Sequence, residues 1–189
     1  MTTDGRLLRG ARSRQAITRH AVDVASLEGL NGLSLGRLAT DLGVSKSGIQ
    51  TLFRTKENLH LATVETASQA FSEAVIAPAL PAPAGAARLH ALVDHWITYA
   101  ATPLFAGGCF WAANLPDFDS RPGPVRDALV GQHEAWLALL SGEFGHVTGA
   151  PDLAAFQLDA VLMAANTALR LGDRAVVPKI HQTLSLLLP

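Results

Sequence analysis

SLGRLATDLGVSKSGIQTLFRTKENL, residues Ser34 to Leu59, holds two short helices and the turn between them with no spare residues. The first starts at Ser34, whose hydroxyl can accept a bond from an orphan N–H of the opening turn, and has an apolar face at Leu35, Leu38 and Leu42. Gly43 stops it, because glycine adopts the left-handed conformation that closes a helix C-terminus without steric cost, and the chain reverses into Val44 and Ser45. Ser45 is a second N-cap. From it runs a helix with Ile49, Leu52 and Phe53 facing inward and Lys46, Ser47, Gln50, Thr51 and Arg54 facing outward. Helices joined by so short a turn cross steeply, and the small Ala39 lets their backbones approach. A second helix presented in this way fits the major groove of B-DNA, with its first residues at base edges and the preceding helix across the backbone. The alternative is a plain hairpin within a bundle, which has no use for Lys, Ser, Gln and Thr on one exposed edge with Arg54 and Lys56 just beyond it.

Charge supports the first reading. The 189 residues carry a net charge of only −1, but residues 1–60 hold nine Lys/Arg against five Asp/Glu, while residues 61–189 hold six against eleven. The basic end is the end with the helix pair. Arg6, Arg9, Arg12 and Arg14 stand in a Gly- and Ser-containing stretch before the first apolar helix begins, an arm suited to phosphates or the minor groove, or else a solvated terminus. The expected DNA contacts are Arg14, Ser34, Arg37, Ser45, Lys46, Ser47, Gln50, Thr51, Arg54 and Lys56. The hydrophobic content of 49% suffices for a sizeable core and excludes a disordered chain. No signal peptide and no membrane-spanning run is expected, which points to a cytoplasmic protein with no membrane partner.

In order and spacing, residues Ala11 to Glu65 resemble the TetR-type one-component transcriptional regulators. A helix precedes the pair, the turn Gly43-Val44-Ser45-Lys46 follows Ala39, aromatic Phe53 closes the second helix, and Lys56-Glu57-Asn58-Leu59 opens the next. One departure is Gln50, where such proteins commonly carry Tyr; Leu52 likewise replaces a bulkier or aromatic residue. Phosphate contact through a tyrosyl hydroxyl is therefore not carried over, and Gln50 is left to bond a phosphate or to read adenine.

The rest of the chain reads as helix without strand signals. Helix one is expected from about Ser13 to Glu28 and a fourth helix from Lys56 to about Ile76, before Pro78, Pro81 and Pro83 break the pattern. Further helices are expected over about Gly85 to Ala101, Pro124 to about Phe144, and roughly Asp152 to Leu171 and Arg174 to Leu187, with a segment around Phe105 to Leu115 after the first of them. The expected fold is all-α, about nine helices, with a three-helix helix-turn-helix DNA-binding domain over 1–55 and a helical effector-binding and dimerisation domain over 56–189. The last two helices are apolar on too many sides for a surface, and Phe156, Val161, Leu162, Leu169, Val177, Ile180, Leu184 and Leu187 are the expected homodimer interface. TetR-like proteins are similar in using their C-terminal helices so. A two-fold dimer presents two reading helices about one DNA turn, ~34 Å, apart and implies a palindromic operator.

The resemblance implies a ligand-sensing body for a small apolar or amphipathic effector, with Phe71, His95, Trp96, Tyr99, Phe110, Trp111, Asn114, Phe118, Trp136 and Asn166 as candidate contacts alongside Phe105. Among these, Asn114 and Asn166 stand out, because an amide on an apolar helix face must find a partner. The implied mechanism is that effector binding moves the fourth helix through the joint at Thr55-Lys56, changes the separation of the reading heads and releases the operator. A small helical enzyme or a redox sensor using Cys109 is the competing class. Its signs are Gly107-Gly108-Cys109 and the i, i+4 pair His90 and Asp94, which supply neither a base nor a third metal ligand. No catalytic residue, metal site or cofactor is expected, and the single cysteine precludes an intramolecular disulfide.

Overall fold

The computed structural model describes residues 3–188, with side chains from Gly10 onward. The described residues are helical with no strand, in the order α1 (Thr3–Glu28), α2 (Leu35–Leu42), α3 (Lys46–Phe53), α4 (Lys56–Phe71), α5 (Ala86–Ala101), α6 (Phe110–Phe118), α7 (Pro124–Phe144), α8 (Pro151–Arg170) and α9 (Val176–Leu187). A 3-10 turn over Leu30–Gly32 separates α1 from α2, and a π-helical segment, Ser72–Ile76, continues α4. Contacts divide the chain into two units, residues 1–69 with 105–129 and residues 70–104 with 130–189. This division by packing differs from the functional boundary expected between residues 55 and 56.

In the first unit, α1 buries Ile17, Ala21, Val24 and Ala25, one face at helical spacing. Leu30, Leu33, Leu38, Ile49, Phe53 and Leu59 join them with at most 1% exposure. Each such side chain contributes roughly 1.5–3 kcal/mol of burial, so this small core is well filled. Residues 105–129 close over the end of α1 through backbone and side-chain bonds together. Ser26 Oγ accepts from the Gly107 N–H at 2.8 Å, and Asp23 Oδ1 accepts from the Ala106 N–H at 3.2 Å. Gly107 is required here, because a Cβ would stand 1.9 Å from the Ser26 carbonyl oxygen. Asn114 then binds α6 to the same place. Its Oδ1 accepts from the Leu30 N–H at 2.6 Å, while its Nδ2 donates to the carbonyls of Ala25 (3.2 Å) and Phe110 (2.7 Å).

In the second unit, α5, α8 and α9 pack around Leu92, Trp96, Leu158, Leu162, Ile180 and Leu184. Proline breaks the chain between the π segment and α5, and a buried carboxylate on α7 ties down the start of α5. Glu143 accepts from the Gly85 N–H and from Arg88, both at 2.8 Å, and Arg88 donates twice more to the Ala82 carbonyl. Because three of Arg88's donors are used and Glu143 has two partners, the part-buried ion pair is well satisfied.

Several helix ends depart from the expected ones. α1 begins at Thr3 rather than near Ser13. The stretch before Ser13 is rich in Arg and Leu, good helix formers, and its two glycines, Gly5 and Gly10, cost only about 1 kcal/mol each in a helix. Arg12 and Arg14 therefore stand on a helix rather than in an extended arm, and the side chains of Arg6 and Arg9 lie outside the described residues. α6 starts at Phe110 and continues through Pro116 to Phe118, whereas Phe105 belongs to the loop before it. Proline removes its own N–H bond but does not by itself end a helix.

Candidate nucleic-acid interface

Local chemistry builds the α2–α3 pair as the sequence implies. Ser34 Oγ accepts from the Arg37 N–H at 3.1 Å, and Ser45 Oγ accepts from the Gly48 N–H at 3.1 Å. Gly43 closes α2 at φ 64°, ψ 29°, with its N–H on the Thr40 carbonyl. Ile49 and Phe53 are buried, Leu52 is half-buried, and Lys46, Ser47, Gln50, Thr51 and Arg54 are exposed. Thr51 donates back to the Ser47 carbonyl at 2.8 Å and Ser47 donates to Ser45 at 3.3 Å, so both hydroxyls are fixed in direction.

The basic residues fall into two groups. Arg37 is engaged by Glu28 through two bonds and by Asp41 at 3.5 Å. Its hydrogen bond to Glu28 raises the Arg37 pKa and holds the Glu28 carboxyl below its ordinary range. Asp41 is lowered as well, first by His20, whose Nε2 lies 3.0 Å away, and then by Arg37. Arg14, expected on DNA, instead donates to the Leu52 carbonyl at 3.0 Å, with its guanidinium 4.7 Å from the Phe53 ring centroid. It thus satisfies an orphan carbonyl at the end of α3 and matches the negative pole of that helix. Lys56 donates to the Asn31 carbonyl at 3.3 Å. By contrast, the side chains of Lys46, Gln50 and Arg54 have no hydrogen bond or ion pair among the described residues. Lys46 and Gln50 lie at i, i+4 on α3 and Arg54 stands in the turn just past its end, so an exposed cation flanks the helix at each end.

Sequence reasoning did not single out Asn31 and His60. Asn31 donates to Asp117 at 3.1 Å and accepts from Arg121 at 2.9 Å, so the 3-10 turn is wired to the end of α6. His60 on α4 is buried with no partner for Nε2 among the described residues, and its ring meets Phe118 edge-on at 6.5 Å. Burial, with a smaller contribution from Lys56, lowers its pKa to about 4, so it is neutral at physiological pH. Nothing in the local pattern marked either residue, since both depend on chain segments more than fifty residues away.

The residues expected to touch an effector divide between the units. Phe110, Trp111, Asn114 and Phe118 are in the first; Phe71, His95, Trp96, Tyr99, Trp136 and Asn166 are in the second. Asn114 is corrected to a structural role, because both its amide atoms are engaged by the backbone of α1, the 3-10 turn and α6. Phe71 meets Tyr99 and Trp136 edge-on at 5.2 and 5.4 Å, and Trp136 Nε1 donates to Asp159 at 3.1 Å. The other Asp159 oxygen binds His133 at 2.9 Å and raises its pKa. A groove of about 200 Å³ between α7 and α8 is lined by Leu137, Ala138, Ser141, Asp152, Ala155 and Phe156, none of them a candidate for effector contact.

Four residues of the expected dimer interface are also corrected. Leu162, Leu169, Ile180 and Leu184 are at most 8% exposed within their own protomer, so they are core. Phe156 at 65% is open to solvent, and Val161, Val177 and Leu187 are half-buried. Leu153 and Leu186, on the same two helices, are also open. Cys109 is 4% exposed, and Asp94 stands 3.7 Å from His181 on α9. No group of three or more metal-ligating side chains occurs among the described residues, and no helix there is long and apolar enough to cross a membrane.

A family model described as tetracyclin repressor-like, C-terminal domain, matches residues 85–184. No curated protein matches the chain. Among solved structures, the chain is similar to a TetR-family transcriptional regulator from Streptomyces coelicolor, with 19% identity over 95% of this chain and 94% of that one and a TM-score of 0.82. A TetR transcriptional regulator from Chloroflexus aurantiacus gives 19% identity, coverage of 95% and 93%, and a TM-score of 0.83. AibR, solved in complex with isovaleryl coenzyme A and operator DNA, gives 17%, coverage of 93% and 98%, and 0.77. At these identities the likeness to the solved structures is one of fold.

Proposed function

This chain belongs to the tetracyclin repressor-like, or TetR, family of transcriptional regulators, and from that premise we propose that it is a cytoplasmic, ligand-responsive repressor that binds a palindromic operator as a homodimer. The observation that carries the proposal is the set Lys46, Gln50 and Arg54, exposed and uncommitted on and just past a helix whose Ile49 and Phe53 are buried. Lys46 and Arg54 meet phosphates, and Gln50 and Thr51 face base edges. Ser34, Ser45 and Ser47 supply hydroxyls at the helix starts. Lys56 keeps two N–H donors for phosphate beyond the one given to Asn31. Arg37 and Arg14 serve chiefly to hold the head together.

The homodimer forms through the open side chains of α8 and α9, Phe156 foremost, with Val161, Val177 and Leu187 around it. An apolar or amphipathic effector acts in the second unit against Phe71, Trp96, Tyr99 and Trp136, with His95 and Asn166 as the polar groups. The AibR structure, which holds both operator DNA and a thioester ligand, supports this two-ligand reading. Effector binding favours a position of α4 that separates the reading heads wrongly for the operator. Tenfold release needs about 1.4 kcal/mol of differential binding between the two states.

The test is titration of labelled duplex DNA at several salt concentrations. Log K falls linearly with log[salt] for the wild type, and Lys46→Ala lowers affinity on all duplexes with a shallower slope. Affinity independent of salt and unaltered by Lys46→Ala contradicts the proposal.

A further inference from the structure

At the joint between α3 and α4, Arg54 holds φ 65°, ψ −55°. Among the described residues no other non-glycine residue has a positive φ. Across Arg54 the Thr55 N–H donates to the Phe53 carbonyl at 2.7 Å, which closes a γ-turn of the rare positive-φ kind over three residues. That turn presses the Cβ of an L-residue against its own backbone, and only glycine adopts it freely. At Gly43, which closes the preceding helix, the same problem is solved by glycine.

The surroundings hold the strained turn shut. The Arg54 N–H donates to the Gln50 carbonyl at 2.7 Å, Phe53 is buried, and Thr55 Oγ1 accepts from the Asn58 N–H at 3.1 Å to start α4. Arg14 takes the Leu52 carbonyl and lies over the Phe53 ring. Strain of this kind persists where neighbours over-determine it, and it gathers at functional positions. What this turn displays is one exposed guanidinium without a partner among the described residues, just past the helix that carries Lys46 and Gln50.

We propose that Arg54 anchors a DNA backbone phosphate, that the protein keeps a strained turn for the sake of this side chain, and that Arg14 is the positioning residue that holds the turn. The proposal rests on the reading of α2 and α3 as a DNA-reading pair. A guanidinium offers a planar fork of donors to phosphate oxygens. Its place at the far end of the reading helix suits the groove wall, because it is the first residues of such a helix that reach base edges.

The experiment uses the full-length chain and a random-sequence duplex, since a phosphate contact ignores sequence. Arg54→Gly raises the unfolding midpoint by roughly 2–4 °C, yet weakens DNA binding about tenfold. It also makes the log K against log[salt] slope shallower by about one unit per chain bound. Arg54→Lys keeps the slope. Arg54→Ala loses the contact as glycine does, but retains the strain and gains no stability. Arg14→Ala weakens binding in the wild type and has no further effect beside Arg54→Gly, whose relaxed turn needs no holding. A wild type without salt-dependent binding overturns the underlying DNA reading. Wild-type binding with an unchanged slope or a lowered midpoint in Arg54→Gly overturns this proposal alone. A loss on Arg14→Ala that persists undiminished beside Arg54→Gly overturns the part assigned to Arg14.

Discussion

Arg37 and Lys46 look alike in the sequence, and the fold treats them oppositely. Arg37 is neutralised by Glu28 and Asp41, whereas Lys46 points outward with no partner among the described residues. Arg37→Ala is therefore expected to leave the salt dependence of DNA binding nearly unchanged, and Lys46→Ala to reduce it, both read from titrations at several salt concentrations. Gln50→Ala or Thr51→Ala should cost about 1–3 kcal/mol on the preferred site and relax discrimination at one or two base pairs; equal losses on every sequence would show that neither residue reads bases. The two caps and Gly43 were legible because each is local chemistry among residues three or four apart. The pairings of Arg37 with Glu28, Arg14 with Leu52 and Phe53, and Lys56 with Asn31 were not, because they join different elements that only packing brings near. Asn114 shows both sides of this. Its need for partners was readable from an amide on an apolar face, but whether it meets a ligand or the backbone depended on where residue 30 lies. Asn114→Ala strands the buried Leu30 N–H, whereas the Ala25 carbonyl keeps the Gly29 N–H, and a urea melt is expected to show a loss of about 1–3 kcal/mol for the one group left unpaired.

Helix by helix, one buried and one half-buried histidine give opposite responses to pH. On α4, His60 has a folded pKa of about 4 against an ordinary 6.5, so the unfolded chain takes up a proton that the folded chain refuses. Its contribution is complete above pH 6.5 and is lost as pH falls toward 4, a loss of roughly 3 kcal/mol once both limits are passed. His60→Leu flattens stability over that window. On α7, His133 is raised by its bond to Asp159 on α8. Its contribution is complete below 6.5 and is lost as pH climbs through the raised value. Asp159→Asn removes that dependence, and a melt series above pH 6.5 that is identical for Asp159→Asn and wild type would sink the assignment. The helices themselves were legible from apolar period and punctuation, and α7 was placed to the residue by Pro124 and Phe144. Less legible were the start of α1, where a Gly- and Ser-containing stretch reads as an arm, and the π turn after Phe71, which no local signal marks.

For the whole molecule, a basic head and an acidic remainder were visible by counting charges, and the family followed from motif order. The division of packing was not visible. Residues 105–129 join the N-terminal helices because Gly107 and Asn114 fit the backbone at the end of α1, a match between segments some eighty residues apart. The proposed self-association surface rests on an excess of apolar residues in α8 and α9; which of them turn inward needed the packed unit. Phe156→Glu is expected to leave each chain folded, to give a monomer in sedimentation at micromolar concentration, and to weaken operator binding with it. A stable wild-type monomer at that concentration contradicts the dimer. The central claim is sequence-specific reading by α3 in a two-fold pair, and selection of protein-bound fragments from genomic DNA tests it most directly. The account predicts one enriched palindrome whose half-sites lie about one helical turn apart, near 10–10.5 base pairs from centre to centre or a multiple of it. A flat sequence preference, or a single unpaired site, contradicts it.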